Sequence, residues 1–358
     1  MLGNILIFNI TDLIKILSIF FLTLIIMAAI SFLTNHISLR RIIPIYVAPQ
    51  KIHKGEVSRL GGLVMYLGIV LLVLSSSFHE IKFTILYFLF SFIPLGLITL
   101  IEDFHKPSPP WVRLIFMVFS SWLILKITNI QLPIFDNPLL KDILADPKIQ
   151  CFLYAFCLVS LMNGTNFIDG VNGNFSFLII SMFTSLGFLA FIVGDFEFIS
   201  LLILCSIPLL AFVLINYPWG RIFAGDLGAY FYGALVGFLI IFFFGRHEDI
   251  SAWNALLITF YPIIELIFSM FRKIWNGKSP MQPDTNHLHL KIYTNLYFRL
   301  KKPRLANNLV TVFLALFWLV PTLILPWVYQ SHFLLAIFLI ILSLSYIMLN
   351  LILTKDKF

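Results

Sequence analysis

The sequence predicts an all-α, polytopic membrane protein of about eleven transmembrane helices, since a span needs roughly 20 mostly apolar residues and such segments recur along the chain. Composition agrees: 60% of residues are hydrophobic, 16% are aromatic and 11% are charged, whereas a soluble domain carries about 25% charged residues. The mean hydropathy is +0.98. A third observation is that the remaining polar residues are gathered into short clusters between the apolar runs.

In chain order the spans are expected near 13–34, 60–78, 83–101, 111–128, 149–163, 175–193, 198–215, 228–244, 253–271, 306–329 and 333–353. The first is too long for a signal-peptide core and has no basic residues ahead of it, so it reads as a retained span. Cys151, Cys157 and Cys205 fall inside spans without metal-type spacing and read as small packing residues. Little chain is left over, so residues 1–358 read as a single integral membrane domain.

The formal charge is +7. Its basic residues lie in short loops between spans, which excludes a nucleic-acid surface and fits the face of a lipid bilayer. Of the 24 Lys and Arg, 18 emerge after odd-numbered spans. The positive-inside rule then places the N-terminus outside and the C-terminus in the cytoplasm. The loops near 35–59, 102–112, 163–174, 216–228 and 272–304 share that cytoplasmic side.

Those five loops carry the chemistry. The first holds Lys51, His53, Lys54 and Arg59 ahead of Gly61-Gly62; cations suit a diphosphate, and paired glycines let backbone approach a neighbour or ligand. The second is Glu102-Asp103 at the end of the third span. Carboxylates are disfavoured at a helix C-terminus, which points to a cation or a catalytic task there. The third runs from Asn163 through Asn166, Asp169 and Asn172 to Gly173, more oxygen-bearing side chains than a turn needs. In the fourth, Asn216 and Phe223 precede Asp226, which stands between glycines where a helix N-terminus favours phosphate. The fifth has Glu265 within the ninth span, then Arg272, His287 and His289. Two His at i, i+2 diverge on a helix but share a face in extended chain. A zinc site would need further ligands, so phosphate contact is the better expectation.

Together the clusters resemble the polyprenyl-phosphate N-acetylhexosamine-1-phosphate transferases, the family of the phospho-N-acetylmuramoyl-pentapeptide translocase and of enzymes that initiate O-antigen and teichoic acid synthesis. Lys51-Ile-His53 with Arg59-Leu-Gly61-Gly62 looks like K-x-H…P-R-x-G-G, and Glu102-Asp103 stands where the family usually has Asp-Asp. Asn163-Gly-Thr-Asn166-Phe-Ile-Asp169-Gly-Val-Asn172-Gly173 resembles N-x-x-N-x-x-D-G-x-[DN]-G. Asn216-Tyr-Pro218 and Phe223-Ala-Gly225-Asp226-Leu-Gly228 are similar to N-x-P…F-x-G-D-x-G, and Asp284-Thr-Asn286-His287-Leu288-His289 to the histidine motif. Glu102 in place of Asp and Leu290 in place of a second adjacent His depart from the pattern.

The resemblance implies transfer from a UDP-N-acetylhexosamine donor to polyprenyl phosphate at the cytoplasmic face of a bacterial inner membrane, with Mg²⁺, or Mn²⁺ in its place, as cofactor. It implies Asp226 as principal metal ligand, Asp103 shared between metal and acceptor phosphate, and Glu102 beside it. Asn166 and Asp169 would orient nucleotide or sugar, with Asn216 and Phe223 near the uracil. Lys51, His53, Arg59, His287 and His289 would contact phosphates, and Lys54, Asn163, Asn172 and Arg272 would complete the substrate surface. A homodimer is compatible with all of this. A secondary transporter or flippase is the rival from another class, but it would place its ionisable groups near the midplane in repeated halves, a pattern absent here; a non-catalytic relative is the third alternative.

Overall fold

The structure, a computed structural model, describes residues 8–35, 57–76, 80–104, 108–135, 137–281 and 286–355. Among them the chain forms α-helices and no strands, as expected where a bilayer offers backbone groups no hydrogen-bond partners. In order these are α1 (Ile10–Asn35), α2 (Gly61–Ser75), α3 (Glu80–Phe104), α4 (Pro110–Ile127), α5 (Pro138–Ile143), α6 (Pro147–Ile168) and α7 (Asn174–Val193). Then come α8 (Phe196–Asn216), α9 (Gly225–Arg246), α10 (Asn254–Ile258), α11 (Phe260–Trp275), α12 (Leu288–Leu300), α13 (Pro303–Val328) and α14 (His332–Lys355).

Among the described residues nine helices are long and apolar enough to cross a membrane: α1, α3, α4, α6 to α9, α13 and α14. The two other expected spans take different forms. α2 has 15 residues and stops at Ser76, whose N–H and hydroxyl both donate to the Val73 carbonyl. The stretch 253–271 is divided at Thr259 into α10 and α11. Pro262 accounts for the division, because a proline ring clashes with the carbonyl four residues before it. Two short helices, α5 and α12, were hidden from hydropathy by their polar residues.

Helix starts follow capping chemistry. Asp146 accepts from the Lys148 amide at 2.7 Å, with Pro147 in the first turn of α6, and Asp195 accepts from the Phe198 amide at 3.0 Å to open α8. Such caps answer the free N–H groups of a first helical turn.

α9 is the axis of the bundle and is buried along its apolar length, packed by α2, α3, α6 and α7. α1 and α14 lie on the outside and leave side chains such as Phe32 and Leu344 exposed, as lipid-facing residues would be. α2 can approach α9 because glycine meets glycine: a Cβ on Gly62 would stand 2.2 Å from the Gly228 nitrogen. Small residues at such contacts are the general device by which membrane helices pack closely. α11 is amphipathic in the inverted sense. Glu265, Ser269 and Lys273, four apart, are buried in protein, while Ile267, Phe271, Ile274 and Trp275 are exposed.

Candidate active site

One end of the bundle collects the start of α2, the end of α3, the start of α4, the ends of α6 and α8 and the start of α9. A backbone clasp sets the first of these against the last. Phe223 N–H donates to the Ser58 carbonyl at 2.8 Å, Gly61 N–H to Phe223 at 3.0 Å and Gly62 N–H to Ala224 at 2.9 Å. Gly225, at φ +71°, turns the chain into α9, and a Cβ there would press on the Arg59 carbonyl and on Asp103 Oδ2. The glycines of this sequence pattern thus serve backbone packing between neighbours.

The clasp delivers Arg59 to the carboxylates. Its Nη2 donates to Asp226 Oδ1 at 2.7 Å, and its Nε lies 3.4 Å from Asp103 Oδ1. Burial opposes a charged Arg59, but Asp226, Asp103 and Asp169 outweigh it and raise its pKa. Asn166 Nδ2 donates to Asp226 Oδ1 at 3.2 Å. The other Asp226 oxygen accepts from Arg113 Nη1 at 3.2 Å, and Arg113 Nε is 3.7 Å from Glu102 Oε2. Carboxylates from α3 and α9, joined by an amide from α6, therefore meet around two guanidinium groups.

Arg113 was missed as a site residue and counted only as loop charge. The signal was present. A cation in the first turn of a helix is as unfavourable as a carboxylate in the last, and the misplaced charges of α3 and α4 answer each other. Asp169 is half-buried just past α6; burial pushes its pKa up to about 7, against the pull of Arg59 and with the help of Asp226.

The other expected residues divide. Lys51, His53 and Lys54 lie outside the described residues. The Asn163 amide donates to its own helix at Val159 and to the Met117 sulfur. Asn172 and Asn216 are built into the scaffold. Asn172 N–H donates to Asn307 Oδ1 at 2.9 Å, its amide to Pro218 and Asn308, and Asn216 spans the Gly173 N–H and the Ile222 carbonyl. Phe223 contributes backbone to the clasp. Arg272 lies over the Phe268 ring at 5.5 Å.

His287 and His289 are buried, with parallel rings 5.6 Å apart. They come together because His287 is the extended residue before α12 while His289 is in its first turn. His289 Nε2 leans on Gly170, where a Cβ would meet it at 2.2 Å. Burial and the neighbouring His287 lower the His289 pKa to about 3 against the pull of Glu265, so this ring is neutral.

Among the described residues no three His, Cys, Asp or Glu groups are placed to hold a metal ion. Those residues therefore form no all-protein cage of the zinc kind. Magnesium asks for less, taking one or two carboxylates plus substrate phosphates. Asp103 fits: both its oxygens are buried without a hydrogen-bond partner of good geometry, although Arg59 Nε and the Asp226 and Leu227 amides are close.

An all-helical multi-pass bundle with an acid–base constellation at one end defines a membrane protein with an enclosed polar site. Over residues 85–244 the chain matches the model of glycosyl transferase family 4. It is similar to a probable undecaprenyl-phosphate N-acetylglucosaminyl 1-phosphate transferase of Bacillus subtilis, 23% identical over 248 residues, covering 68% of this chain and 67% of that one. Shorter matches are to undecaprenyl-phosphate alpha-N-acetylglucosaminyl 1-phosphate transferases. The Pasteurella multocida protein is 34% identical over 21% of this chain and 22% of its own length, and that of Escherichia coli K12 is 32% identical over 19% of each.

Proposed function

We propose that the protein transfers N-acetylhexosamine-1-phosphate from a UDP-sugar to polyprenyl phosphate and releases UMP, initiating a cell-surface polysaccharide at the cytoplasmic face of a bacterial inner membrane. The observation that carries this reading is the convergence of Asp226, Asp103, Asn166, Arg59 and Arg113 at one end of the bundle. The names of the similar proteins support the acceptor and the transferred group.

In the reaction an acceptor phosphate oxygen bonds to the β-phosphorus of the donor. The bond from that phosphorus to the bridging oxygen breaks, and UMP leaves with the electron pair. Two anions must meet, so catalysis is mostly charge neutralisation and positioning. Arg59 and Arg113 receive the diphosphate. Asp103 faces the acceptor phosphate with Glu102 beside it, and Asn166 and Asp169 orient the donor. Asp226 and Asp103 would hold Mg²⁺ or Mn²⁺, which when bound supplies positive charge against the diphosphate.

The test is purified protein with undecaprenyl phosphate, magnesium and a panel of radiolabelled UDP-N-acetylhexosamines. Label should enter the lipid fraction as UMP is released. If no member of the panel labels the lipid, the proposal fails.

A further inference from the structure

Glu265, on α11, is fully buried. A buried carboxylate is costly unless paired and hydrogen-bonded, and this one is held on both oxygens. Oε1 lies 3.0 Å from His287 Nδ1 and 3.4 Å from the Leu288 amide at the start of α12. Oε2 accepts from the Tyr346 hydroxyl of α14 at 2.8 Å. His287 has no side-chain capping bond of its own, so Glu265 supplies from α11 the negative charge that the first turn of α12 favours.

The arrangement continues toward the site. The His287 ring is 5.0 Å from the Phe167 ring and parallel to His289, and His289 presses on Gly170, next to Asp169. The charged and titratable groups around His287 are Glu265 and Lys273 from α11, His289 from α12 and, through Glu265, Tyr346 from α14; α6 contributes the uncharged Phe167, over which Lys273 also lies.

We propose that Glu265, backed by Tyr346, is a positioning residue that fixes His287 with its proton on Nδ1 and locks the start of α12, so that the parallel imidazoles hold the Asp169–Gly170 turn in place. A carboxylate that orients a histidine through Nδ1–H is a device known from other active sites. The effect on turnover rests on the transferase reading; the state of the ring does not.

Two measurements test it on the full chain in detergent. With ¹⁵N-histidine labelling, the ring signal absent from His287→Gln should show a proton on Nδ1, and Glu265→Gln should move that signal. A His287 ring protonated on Nε2 alone, or a signal untouched by Glu265→Gln, overturns the inference. In the transfer assay, Glu265→Gln should lower kcat at least tenfold with the donor KM within threefold, and Tyr346→Phe should have a smaller effect in the same direction. The double variant Glu265→Gln/His287→Gln should be no slower than His287→Gln alone; multiplied losses would assign Glu265 a separate structural role. If wild-type protein transfers nothing, the transferase reading fails and the ring signal decides this inference by itself.

Discussion

Arg59 and Asp226, 167 positions apart in sequence, are joined by a 2.7 Å hydrogen bond at the point where α2 and α9 begin. The backbone clasp around them is made without side chains, so the pair can be cut while the clasp stays whole. Arg59→Ala should therefore insert and fold normally but lose about 10²-fold or more in kcat/KM, the usual scale for removing a group that stabilises developing charge. Arg59→Lys should recover part of it, since an ammonium lacks the fork that engages two carboxylates. Wild-type kinetics in Arg59→Ala would separate this guanidinium from the chemistry.

Removing divalent metal should stop transfer, and adding magnesium or manganese should restore it. Asp226→Asn and Asp103→Asn should stay inactive at saturating metal while folding and inserting as wild type. Substantial turnover of Asp226→Asn under those conditions rules out its role as principal ligand.

Gly62→Ala should loosen α2 from α9. The added methyl meets the Gly228 nitrogen and Cα, backbone atoms that cannot swing aside, and overpacking of this kind costs about 1–3 kcal/mol. Gly187→Ala, whose methyl would sit 3.7 Å from Leu202 Cδ1, is the control and should be neutral or slightly stabilising. Thermal unfolding in detergent distinguishes them.

Asp169 provides a pH-dependent test. Its folded pKa is raised to about 7 from 3.8, so its contribution to stability is fully present below the unfolded value and is lost as pH rises through about 7. Asp169→Asn should therefore melt higher than wild type at pH 8, with the gap narrowing as pH falls toward 3.8, while losing activity across that range. Equal melting temperatures at pH 8 would show that the carboxylate carries no burial penalty.

The helical membrane architecture was legible because apolar length is written directly into sequence, and Asp226, Asp103 and Asn166 were legible because polar groups are conspicuous against that background. What failed to show was anything set by partners distant in the chain. Arg113 looked like a loop charge until α3 and α4 placed it across from Glu102 and Asp226. Asn172 and Asn216 carried the right motif, yet their hydrogen bonds to α13 and to backbone are tertiary facts. Pro262 was visible, but hydropathy averages over a window and cannot register a break.

Because the apolar length of α9 is enclosed by other helices, the helix that carries Asp226 is screened from acyl chains. Changes in bilayer thickness or in lipid headgroup would act first on the outer helices and reach that carboxylate only after passing through a surrounding layer of protein. On the proposed reading, that end is set apart from the lipid around the bundle, and an acceptor's tail would be the part that meets the membrane directly.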